Sequence, residues 1–518
     1  MACFLVLAAS LGCDASNGQA HDGGSGDGGG RCGDAGSLQL CGASCVDLSS
    51  DVRNCGSCGN ACASAALCCS GTCVETSTCG FAVTQVLPVN GFQNGGDYIT
   101  LAGAGFATGL RAYIADGRAP VRVLDASHAL VQTPPGPVGA RDVKIVLGGL
   151  SATTPQAFEY VAAGLDMVWA QKPMMQVRGE DPGIGVAMDG RVLVAGGTTV
   201  PDNPALSLAS AELYERATDK VTVAGNQMST VRWQNSVVPM LTGKLLVVGG
   251  ACEADGTTCT GDATLADLFD PATNLFKPTA MPLAVKRAYT RAVLLVDGRV
   301  LIASANDPSV EIYDPALDTF TTVAHTTVRV FGFMVRLRDG RVLYGGGDKG
   351  ETSAEVFDSD TNTFQPVGPM AFGRSMLSAH TLPDGRAIVI AGASMSAGAI
   401  MNAQTTMEVF DPVANTFSTL SYQLTTPRAW HASALVRDGT ILVMGGYTMA
   451  SCDSSTAGVE QVDPVMGTVK MFPSLPNTNT EWNAVTLLDG SVLGVGGGAC
   501  GTLMALPDLD FLPGTGPG

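Results

Sequence analysis

The sequence predicts an all-β protein of more than one domain, and three observations support this. Glycine accounts for 65 of the 518 residues and charged residues for only 15%, a composition that favours turn-rich β-structure over helical bundles. The chain is too long for one core at ~100–200 residues per domain. Hydrophobic runs joined by Asp-Gly pairs recur through its C-terminal two thirds. The largest domain is therefore expected to be built from repeats.

Charge and cysteine content narrow the possible functions. The chain carries 47 acidic and 29 basic residues, a net charge of −18, which repels phosphate backbones and anionic membrane surfaces. Nucleic acid is thus not an expected partner. Sixteen cysteines, ten of them within residues 32–79, are typical of proteins folded outside a reducing cytosol. The sequence therefore predicts an exported protein.

The N-terminus predicts a signal peptide. Residues 4–11 form an apolar run that fits a signal-peptide core and is too short to span a bilayer. The following SLGC, ending at Cys13, resembles the lipobox of bacterial lipoproteins. That resemblance implies a signal peptide over residues 1–13, lipidation of Cys13 and anchorage in the cell envelope. The alternative is a secreted protein cleaved nearby. Residues 14–31, rich in Gly, Asp and Ser, are expected to be a flexible linker.

Residues 32–79 contain too few large apolar side chains to fold by burial alone. Five disulfides of about 2–4 kcal/mol each would replace the missing core. A zinc site at Cys55 and Cys58 is disfavoured, because no His lies nearby. The Cys41-x3-Cys45 and Cys55-x2-Cys58-x3-Cys62 spacings resemble Stig1-like modules, and the pairing stays open. The cysteines expected to pair among themselves are Cys32, Cys41, Cys45, Cys55, Cys58, Cys62, Cys68, Cys69, Cys73 and Cys79.

Residues 80–163 alternate short β-rich runs with Gly, Pro and Asn turns. Apolar and polar side chains alternate in residues 98–101 and 143–146, which indicates half-buried strands of a sandwich. Pro88-x-x-Gly91, the glycines that follow and the closing Phe158-x-Tyr160 resemble an IPT/TIG immunoglobulin-like domain. The resemblance implies a spacer or protein-binding module and nothing catalytic.

The rest of the chain repeats a strand, a turn glycine, a second strand and a Gly-Gly pair. The seven turn glycines, spaced by 42 to 55 residues, are Gly190, Gly243, Gly298, Gly340, Gly385, Gly439 and Gly490. Seven units of about fifty residues indicate a β-propeller. The recurring Asp-Gly pairs predict type I′ hairpin turns rather than calcium ligands.

A second hairpin in each unit has aromatic residues seven positions apart around an Asp-Pro turn, as in Phe269/Phe276 and Phe410/Phe417. With Gly-Gly, this spacing resembles the kelch repeat and implies a seven-bladed propeller over residues 165–513. The seventh unit has sequence for only three strands. Residues 166–172 are therefore expected to supply the last strand and close the ring, which removes exposed sheet edges.

Strand order predicts which face of the propeller binds ligand. Asp-Gly and Asp-Pro turns share one face, and residues 198–210, 251–265, 393–406 and 447–458 form long loops on the other, where binding residues usually sit. Further cysteines lie in these loops. The expected disulfides Cys252–Cys259 and Cys452–Cys500 would stiffen the loop face.

Candidate ligand-binding aromatic residues lie eight to ten positions before the turn glycines, and basic residues accompany them on the same side. Aromatic side chains with basic neighbours at a channel mouth suit sugars or side chains of a protein partner. The alternative interpretation is that they pack between blades and cap strand ends. The candidates are Trp233, Tyr289, Trp430, Trp482, Arg232, Arg287 and Arg428, and Phe331, Arg178 and Arg374 occupy similar positions.

No catalytic constellation, metal site or cofactor is predicted. The main enzymatic alternative is the galactose-oxidase-like copper oxidases, which use a kelch propeller with two His and a Tyr on copper. The propeller contains only His325, His380 and His431, of which His325 and His431 are expected to reach the loop face. The sequence therefore predicts an exported, membrane-anchored binding or adhesion protein for a polysaccharide or a surface protein. A propeller-based extracellular enzyme and a structural envelope protein are the alternatives.

Overall fold

The computed structural model consists almost entirely of β-strands, which confirms the all-β prediction. It describes residues 38–41, 44–48, 51–62, 67–69, 72–74, 81–93, 95, 97–161, 169–179, 181–200, 204–250, 262–348, 351–396, 399–449, 454–499, 504–505 and 508–512. Within these residues the helical structure is limited to 3₁₀ turns at Pro204–Leu206 and Ser454, and no helix has the length and apolar character needed to cross a bilayer. The chain divides into two compact units, residues 1–74 and 75–518.

The first unit contains two small hairpins, β1 (Leu38–Cys41) with β2 (Ser44–Asp47), and β3 (Leu67–Cys69) with β4 (Thr72–Val74). Three disulfides join Cys41 to Cys58, Cys55 to Cys68, and Cys62 to Cys73. Cys55 and Cys58 are thus both oxidised and cannot act as zinc thiolates. The predicted lipidation site Cys13, the linker 14–31, and the side chains of Cys32, Cys45, Cys69 and Cys79 lie outside the described residues.

The second unit begins with a two-sheet sandwich over residues 81–161. Its strands are β5 (Ala82–Leu87), β6 (Asn90–Phe92), β7 (Tyr98–Ala104), β8 (Arg111–Ile114), β9 (Gly117–Ala119), β10 (Val121–Val123), β11 (His128–Gln132), β12 (Gly139–Leu147) and β13 (Leu150–Val161). One sheet has the order β10-β11-β7-β5 and the other β6-β13-β12-β8-β9. Ile99, Leu101, Val143 and Ile145 are buried between them, as the alternating pattern predicts. The Tyr160 hydroxyl donates to the Pro134 carbonyl oxygen at 2.6 Å.

Seven sheets follow in the described part of residues 169–512, after the strand β14 (Ala170–Pro173). Sheet 1 contains β15 (Gly183–Val186), β16 (Val192–Ala195), β17 (Ala211–Glu215) and β18 (Lys220–Val223). Sheet 2 contains β19 (Ser236–Pro239), β20 (Leu245–Val248), β21 (Ala266–Asp270) and β22 (Leu275–Pro278). Sheet 3 contains β23 (Arg291–Leu294), β24 (Val300–Ala303), β25 (Ser309–Asp314) and β26 (Thr319–His325).

The remaining sheets repeat this order. Sheet 4 contains β27 (Phe333–Arg336), β28 (Val342–Gly345), β29 (Ala354–Asp358) and β30 (Thr363–Pro366). Sheet 5 contains β31 (Ser378–Thr381), β32 (Ala387–Ile390), β35 (Met407–Asp411) and β36 (Thr416–Thr419), with the extra hairpin β33 (Ala393–Ser396) and β34 (Ala399–Ala403). Sheet 6 contains β37 (Ala432–Leu435), β38 (Ile441–Met444), β39 (Val459–Asp463) and β40 (Thr468–Phe472). Sheet 7 contains β41 (Thr480–Thr486), β42 (Val492–Ala499), β44 (Asp508–Leu512) and β14, and β43 (Met504–Ala505) pairs with β42. Residues 393–406, expected to be an irregular loop, thus contain a hairpin.

The sheets form a closed circle. The first strand of each sheet packs against the first strand of the next, and β41 of sheet 7 packs against β15 of sheet 1. The second strands are fully buried, as in β16, β20 and β24. At the rim, β14 pairs antiparallel with β44, with Ala170 opposite Phe511 and Lys172 opposite Leu509. An early segment of the second unit therefore completes its last sheet.

The Asp-Gly turns differ from the predicted type I′ geometry. In the first turn only Gly190 has a positive φ (+87°), and its amide donates to the Ala187 carbonyl oxygen at 2.9 Å. This is a type I turn followed by a left-handed glycine. Asp189 instead accepts the Arg191 amide on its carboxylate at 3.1 Å. The aspartate side chain thus binds a backbone N–H two residues further along the chain, and the residue itself keeps a negative φ.

The aromatic pairs seven residues apart face each other across the outer hairpin of their sheets. Phe269 lies directly opposite Phe276 with ring centroids 4.8 Å apart, and Phe410 opposite Phe417 at 5.0 Å. Cross-strand aromatic pairs of this kind stabilise a hairpin. The repeat spacing therefore reports the pairing register of the third and fourth strands.

The sandwich domain packs against the face that carries the Asp-Gly turns. Arg122 pairs with Asp360 at 3.2 Å, and a small cavity separates sandwich residues such as Leu87 from the turn at Leu241 and Gly243. A larger cavity of about 540 Å³ is lined by Gly95 and Asp97 of the sandwich, Arg437, and the ends of the first strands. The sandwich domain thus borders one end of the central channel.

Candidate functional site

The other end of the channel is bordered by seven residues, one per sheet, that we call the mouth ring: Asp181, Gln234, Tyr289, Phe331, Met376, Trp430 and Glu481. All seven have left-handed backbones, with φ between +36° and +57°. Non-glycine residues adopt this conformation only where the surroundings impose it. Hydrogen bonds between neighbouring ring residues do so here. For example, the Asp181 amide donates to Glu481, and the Gln234 amide to Asp181, both at 3.0 Å.

Every mouth-ring residue stands nine positions before the turn glycine of its unit. The predicted window of eight to ten positions includes all seven ring positions, but it also includes the residue before and the residue after each of them. Tyr289 and Trp430 are in register and partly exposed. Trp233 and Trp482 are one position out of register and only 4% and 3% exposed. Both pack largely in the core, although Trp482 also lines the channel cavity. A strict nine-residue spacing would have identified Gln234 and Glu481 in their place.

The predicted ligand-binding arginines are interior residues. Arg232, Arg287 and Arg428 are 0% exposed. Each pairs with a carboxylate on the third strand of its own sheet: Asp267 at 2.9 Å, Glu311 at 2.6 Å and Glu460 at 3.0 Å. Their role as ligand contacts is therefore incorrect, and the alternative of capping strand ends fits the structure. Arg178, Arg329 and Arg374 are paired in the same way.

These arginines also explain the Gly-Gly pairs. Arg232 donates to the carbonyl oxygen of Gly249 at 3.0 Å, and the Gly250 amide donates to the Arg287 carbonyl oxygen of the next sheet at 2.8 Å. Gly250 has φ +79°, and a Cβ there would lie 2.3 Å from the Trp233 carbonyl oxygen. Only glycine fits this connection. The acidic partner could have been read from the sequence, because in most units it stands two positions before the first aromatic of the outer hairpin.

The mouth ring opens into a cavity of about 350 Å³ lined by the first strands of the sheets. One side of the opening is an aromatic arc. Tyr289 and Phe331 have ring centroids 4.8 Å apart, Phe331 and Trp430 5.1 Å, and Trp430 and Tyr447 6.0 Å. Trp233 continues the arc into the core, 5.8 Å from Tyr289. Rings in this arrangement provide a rigid apolar surface.

The opposite side of the opening is polar. Gln234 and Asn235 line the cavity and are each 8% exposed. The Gln234 Oε1 atom and both amide atoms of Asn235 have no hydrogen-bond partner among the described residues. Burying such groups unpaired costs about 1–3 kcal/mol each. Asp181 lies beside them, and burial raises its pKa to about 6, although the positive charge of Arg291 acts in the opposite direction.

Deeper in the channel, two histidines pair with serines of the neighbouring sheet. Ser378 Oγ lies 2.9 Å from His431 Nε2, and Ser433 Oγ lies 2.6 Å from His380 Nε2. Burial lowers the pKa of His380 to about 4. Burial, with the positive charge of Arg428 and the neighbouring His380, lowers that of His431 to about 3. Both imidazoles are therefore neutral at pH 7. His325 ends the outer strand β26, where sheet 3 connects to sheet 4, and is exposed; it lies at the outer edge and is not among the residues that line the cavity.

These histidines predict acid sensitivity. A folded-state pKa below the usual ~6.5 means that the unfolded chain takes up the proton first, so stability is lost as pH falls from about 6.5 towards 3. Between pH 7 and pH 5, His431 should account for a loss of about 2 kcal/mol. We expect His431→Gln to reduce the pH dependence by that amount in denaturation followed by tryptophan fluorescence. His325→Gln, on the exposed rim, is the control. Equal pH dependence of the wild type and His431→Gln would contradict the prediction.

Two further observations concern the cysteines. Within the described residues, the group of three His, Cys, Asp or Glu side chains close enough to share a metal is Cys55, Cys62 and Cys73, whose sulfurs are in disulfides. The predicted disulfides Cys252–Cys259 and Cys452–Cys500 lie outside the described residues.

The circle of four-stranded sheets, the Arg–carboxylate pairs and the Gly-Gly connections define a kelch-like β-propeller. Residues 82–160 match the model of the IPT/TIG domain, and residues 30–85 match that of the stigma-specific STIG1-like protein family. The chain therefore contains both predicted N-terminal modules. The disulfide-rich module indicates an extracellular protein.

Known proteins support the propeller. Beta-scruin of Limulus polyphemus is 26% identical over 210 residues, which cover 37% of this chain and 22% of beta-scruin. The chain thus matches about a fifth of that relative's length. A fungal alcohol oxidase of the AA5 family, solved in complex with copper, matches with a TM-score of 0.55 and 16% identity, over 68% of this chain and 77% of the oxidase. At this identity the match shows the fold alone.

Proposed function

We propose that this is an exported binding protein in which a seven-bladed kelch-like propeller binds an extracellular ligand at the mouth ring. The seven sheets are the blades, and β14 closes the seventh. The observation that carries the proposal is the asymmetry of the channel. One end is bordered by the sandwich domain, and the other end opens into a cavity beside the aromatic arc, with Gln234 and Asn235 on its polar side.

The chemistry of the channel favours binding over catalysis. A general base works best with a pKa near the operating pH. His431 and His380, with pKa values of about 3 and 4, are too weakly basic to activate Ser378 or Ser433. The role of the wall is therefore to offer neutral donors and acceptors.

The proposal includes a location at the cell envelope. The apolar run ending at Cys13 and the linker 14–31 would place the folded units outside the membrane on a lipid-anchored tether. Anchorage of this kind suits adhesion, since it holds the binding face at the cell surface.

The test compares two phenylalanines. Phe331 belongs to the mouth ring, and Phe372 is a surface residue away from the cavity, 41% exposed. We expect Phe331→Ala to weaken binding of the full chain to purified envelope polysaccharides or surface proteins about tenfold, because a stacked aromatic contact is lost. Phe372→Ala should bind like the wild type. Unchanged binding by a folded Phe331→Ala protein would place the binding site elsewhere.

A further inference from the structure

We propose that the mouth ring binds a free α-amino acid with an apolar side chain, holding its ammonium group at Asp181, its carboxylate at Arg291 and its side chain on the aromatic arc. This inference rests on the proposed binding function and specifies the chemical class of the ligand. The ligand is then a small zwitterion and not a segment of a larger partner.

Asp181 presents a carboxylate to the cavity without a protein partner. It lines the cavity and is partly exposed, and its carboxylate makes no hydrogen bond or ion pair with any residue that the structure describes. Glu481, the other acidic residue of the mouth ring, is only 9% exposed and accepts the Tyr447 hydroxyl at 3.3 Å. A largely desolvated carboxylate is costly unless a positive charge meets it. Asp181 is therefore the acidic group that a ligand can pair with.

Arg291 supplies the opposite charge from sheet 3. It is the first residue of β23, lines the same cavity and is partly exposed. Its Nε atom donates to the Gly332 carbonyl oxygen at 3.0 Å, and its Nη1 atom to the Thr290 carbonyl oxygen at 3.4 Å. These bonds hold the guanidinium in place. The Nη2 group makes no hydrogen bond within the described ranges, so it can donate to an anion in the cavity.

The two charges face one cavity without pairing directly. No ion pair joins Asp181 to Arg291 among the described residues, although the positive charge of Arg291 acts to lower the Asp181 pKa. Neither group belongs to the enclosed polar atoms of the wall, such as the Asn235 amide. A cation alone would be repelled by Arg291, and an anion alone by Asp181. A ligand that carries both charges satisfies both groups.

The aromatic arc provides the third contact. In a circle of seven sheets, sheet 1 lies across the channel from sheets 4 and 5, so Asp181 stands opposite Phe331. Tyr289, Phe331 and Trp430 line the cavity with partly exposed rings, against which burial of an apolar side chain is favourable. An α-amino acid carries its ammonium group, carboxylate and side chain on one carbon atom. Its three groups therefore diverge towards three different contacts.

The size of the cavity favours a single small ligand. About 350 Å³ is near the lower end of the ~300–1,000 Å³ typical of small-molecule pockets. Within a polypeptide, the amino and carboxyl groups of a residue are joined in peptide bonds. An internal segment of a protein partner therefore cannot present both charges beside one side chain, whereas a free amino acid does.

The experiment titrates the full chain with L-phenylalanine and L-leucine by isothermal titration calorimetry at pH 7, and we expect saturable binding. Three further compounds each lack one contact: phenethylamine has no carboxylate, 3-phenylpropionate has no ammonium group, and glycine has no side chain. Each should bind about tenfold more weakly than phenylalanine, or worse, because a charge-assisted hydrogen bond or the apolar contact is lost.

Matched substitutions connect each loss to its residue. Asp181→Asn should weaken phenylalanine binding about tenfold without weakening that of 3-phenylpropionate, which has no group for Asp181. Arg291→Gln should weaken phenylalanine binding to a similar extent and spare phenethylamine. Asp116→Asn, at an exposed turn of the sandwich, is the control and should bind like the wild type. Thermal unfolding checks that each variant is folded.

Three results would overturn the inference. Equal affinity for phenylalanine and either singly charged analogue would show that the site does not read both charges. A folded Asp181→Asn protein that loses phenylalanine and 3-phenylpropionate alike would show that Asp181 does not act through the ammonium group. If neither amino acid binds, while larger partners still bind in a Phe331-dependent way, the zwitterion is excluded and the binding function remains. If Phe331→Ala has no effect on any ligand, the binding function itself fails at this face.

Discussion

Replacement of Glu460 by alanine is expected to lower the free energy of unfolding by about 3–5 kcal/mol, because it leaves a buried guanidinium without its counter-charge. Glu460 pairs with Arg428 at 3.0 Å, and both side chains are fully buried. The carboxylate also accepts the backbone amides of Thr425 at 2.6 Å and Thr426 at 3.1 Å. Burial alone would raise the pKa of Glu460, but hydrogen bonds from Thr425 and Arg428 outweigh it and hold the pKa below its usual range.

The measurement is chemical denaturation at pH 7. Asp360→Ala provides the control, since the Asp360–Arg122 pair is solvent-exposed at the domain contact and should contribute about 0–1 kcal/mol. If the two substitutions lower the free energy of unfolding equally, the buried Arg428–Glu460 pair contributes no more to stability than an exposed pair does.

Removal of the closing strand is expected to have the second large effect. A chain trimmed to begin at Met174 lacks β14 and leaves β44 as an unpaired edge. It also loses Trp169, which packs against the core of sheets 6 and 7 and donates its indole N–H to the Pro473 carbonyl oxygen at 2.9 Å. We expect the melting temperature to fall by ~5 °C or more, with aggregation through the open edge.

A chain beginning at Ala163 keeps β14 and is the matched comparison, since both chains lack the sandwich domain. Thermal unfolding by circular dichroism, with light scattering for aggregation, measures both effects. Indistinguishable melting of the two chains would mean that closure by β14 contributes nothing to stability.

The repeated sheets could be predicted from sequence because their signals are local. The turn glycines and the aromatic spacing each report one hairpin, as Phe269 and Phe276 show. The turn type was wrong for an equally local reason. The type I′ prediction assumed that Asp189 adopts a positive φ. In the structure its role in the turn is that its carboxylate binds the Arg191 amide. Two mechanisms favour the same residue at the same place, and pattern alone does not distinguish them.

The candidate site was predicted only in part, because side-chain direction depends on contacts that are distant in sequence. Arg428 stands next to the mouth ring in the chain, but Glu460, thirty-two residues later, draws its side chain into the sheet. Trp482 follows the ring residue Glu481 and is largely buried in the core of sheets 6 and 7, where it also lines the cavity. The position of the sandwich domain over the turn face had no sequence signal at all, since it depends on the fit of two finished surfaces.

The mouth ring depends on backbone contacts more than on its side chains. Its geometry is imposed largely by backbone hydrogen bonds between neighbouring ring residues, and these bonds do not involve the ring side chains. The seven equivalent positions indeed carry seven different amino acids, while six of the seven units share a buried arginine with an acidic partner. Duplication of one unit would therefore reproduce the buried pair in each sheet, and the residue at each ring position would then be free to change independently. The side chains at the ring positions can thus differ from unit to unit without loss of the buried pairs that six of the seven units share.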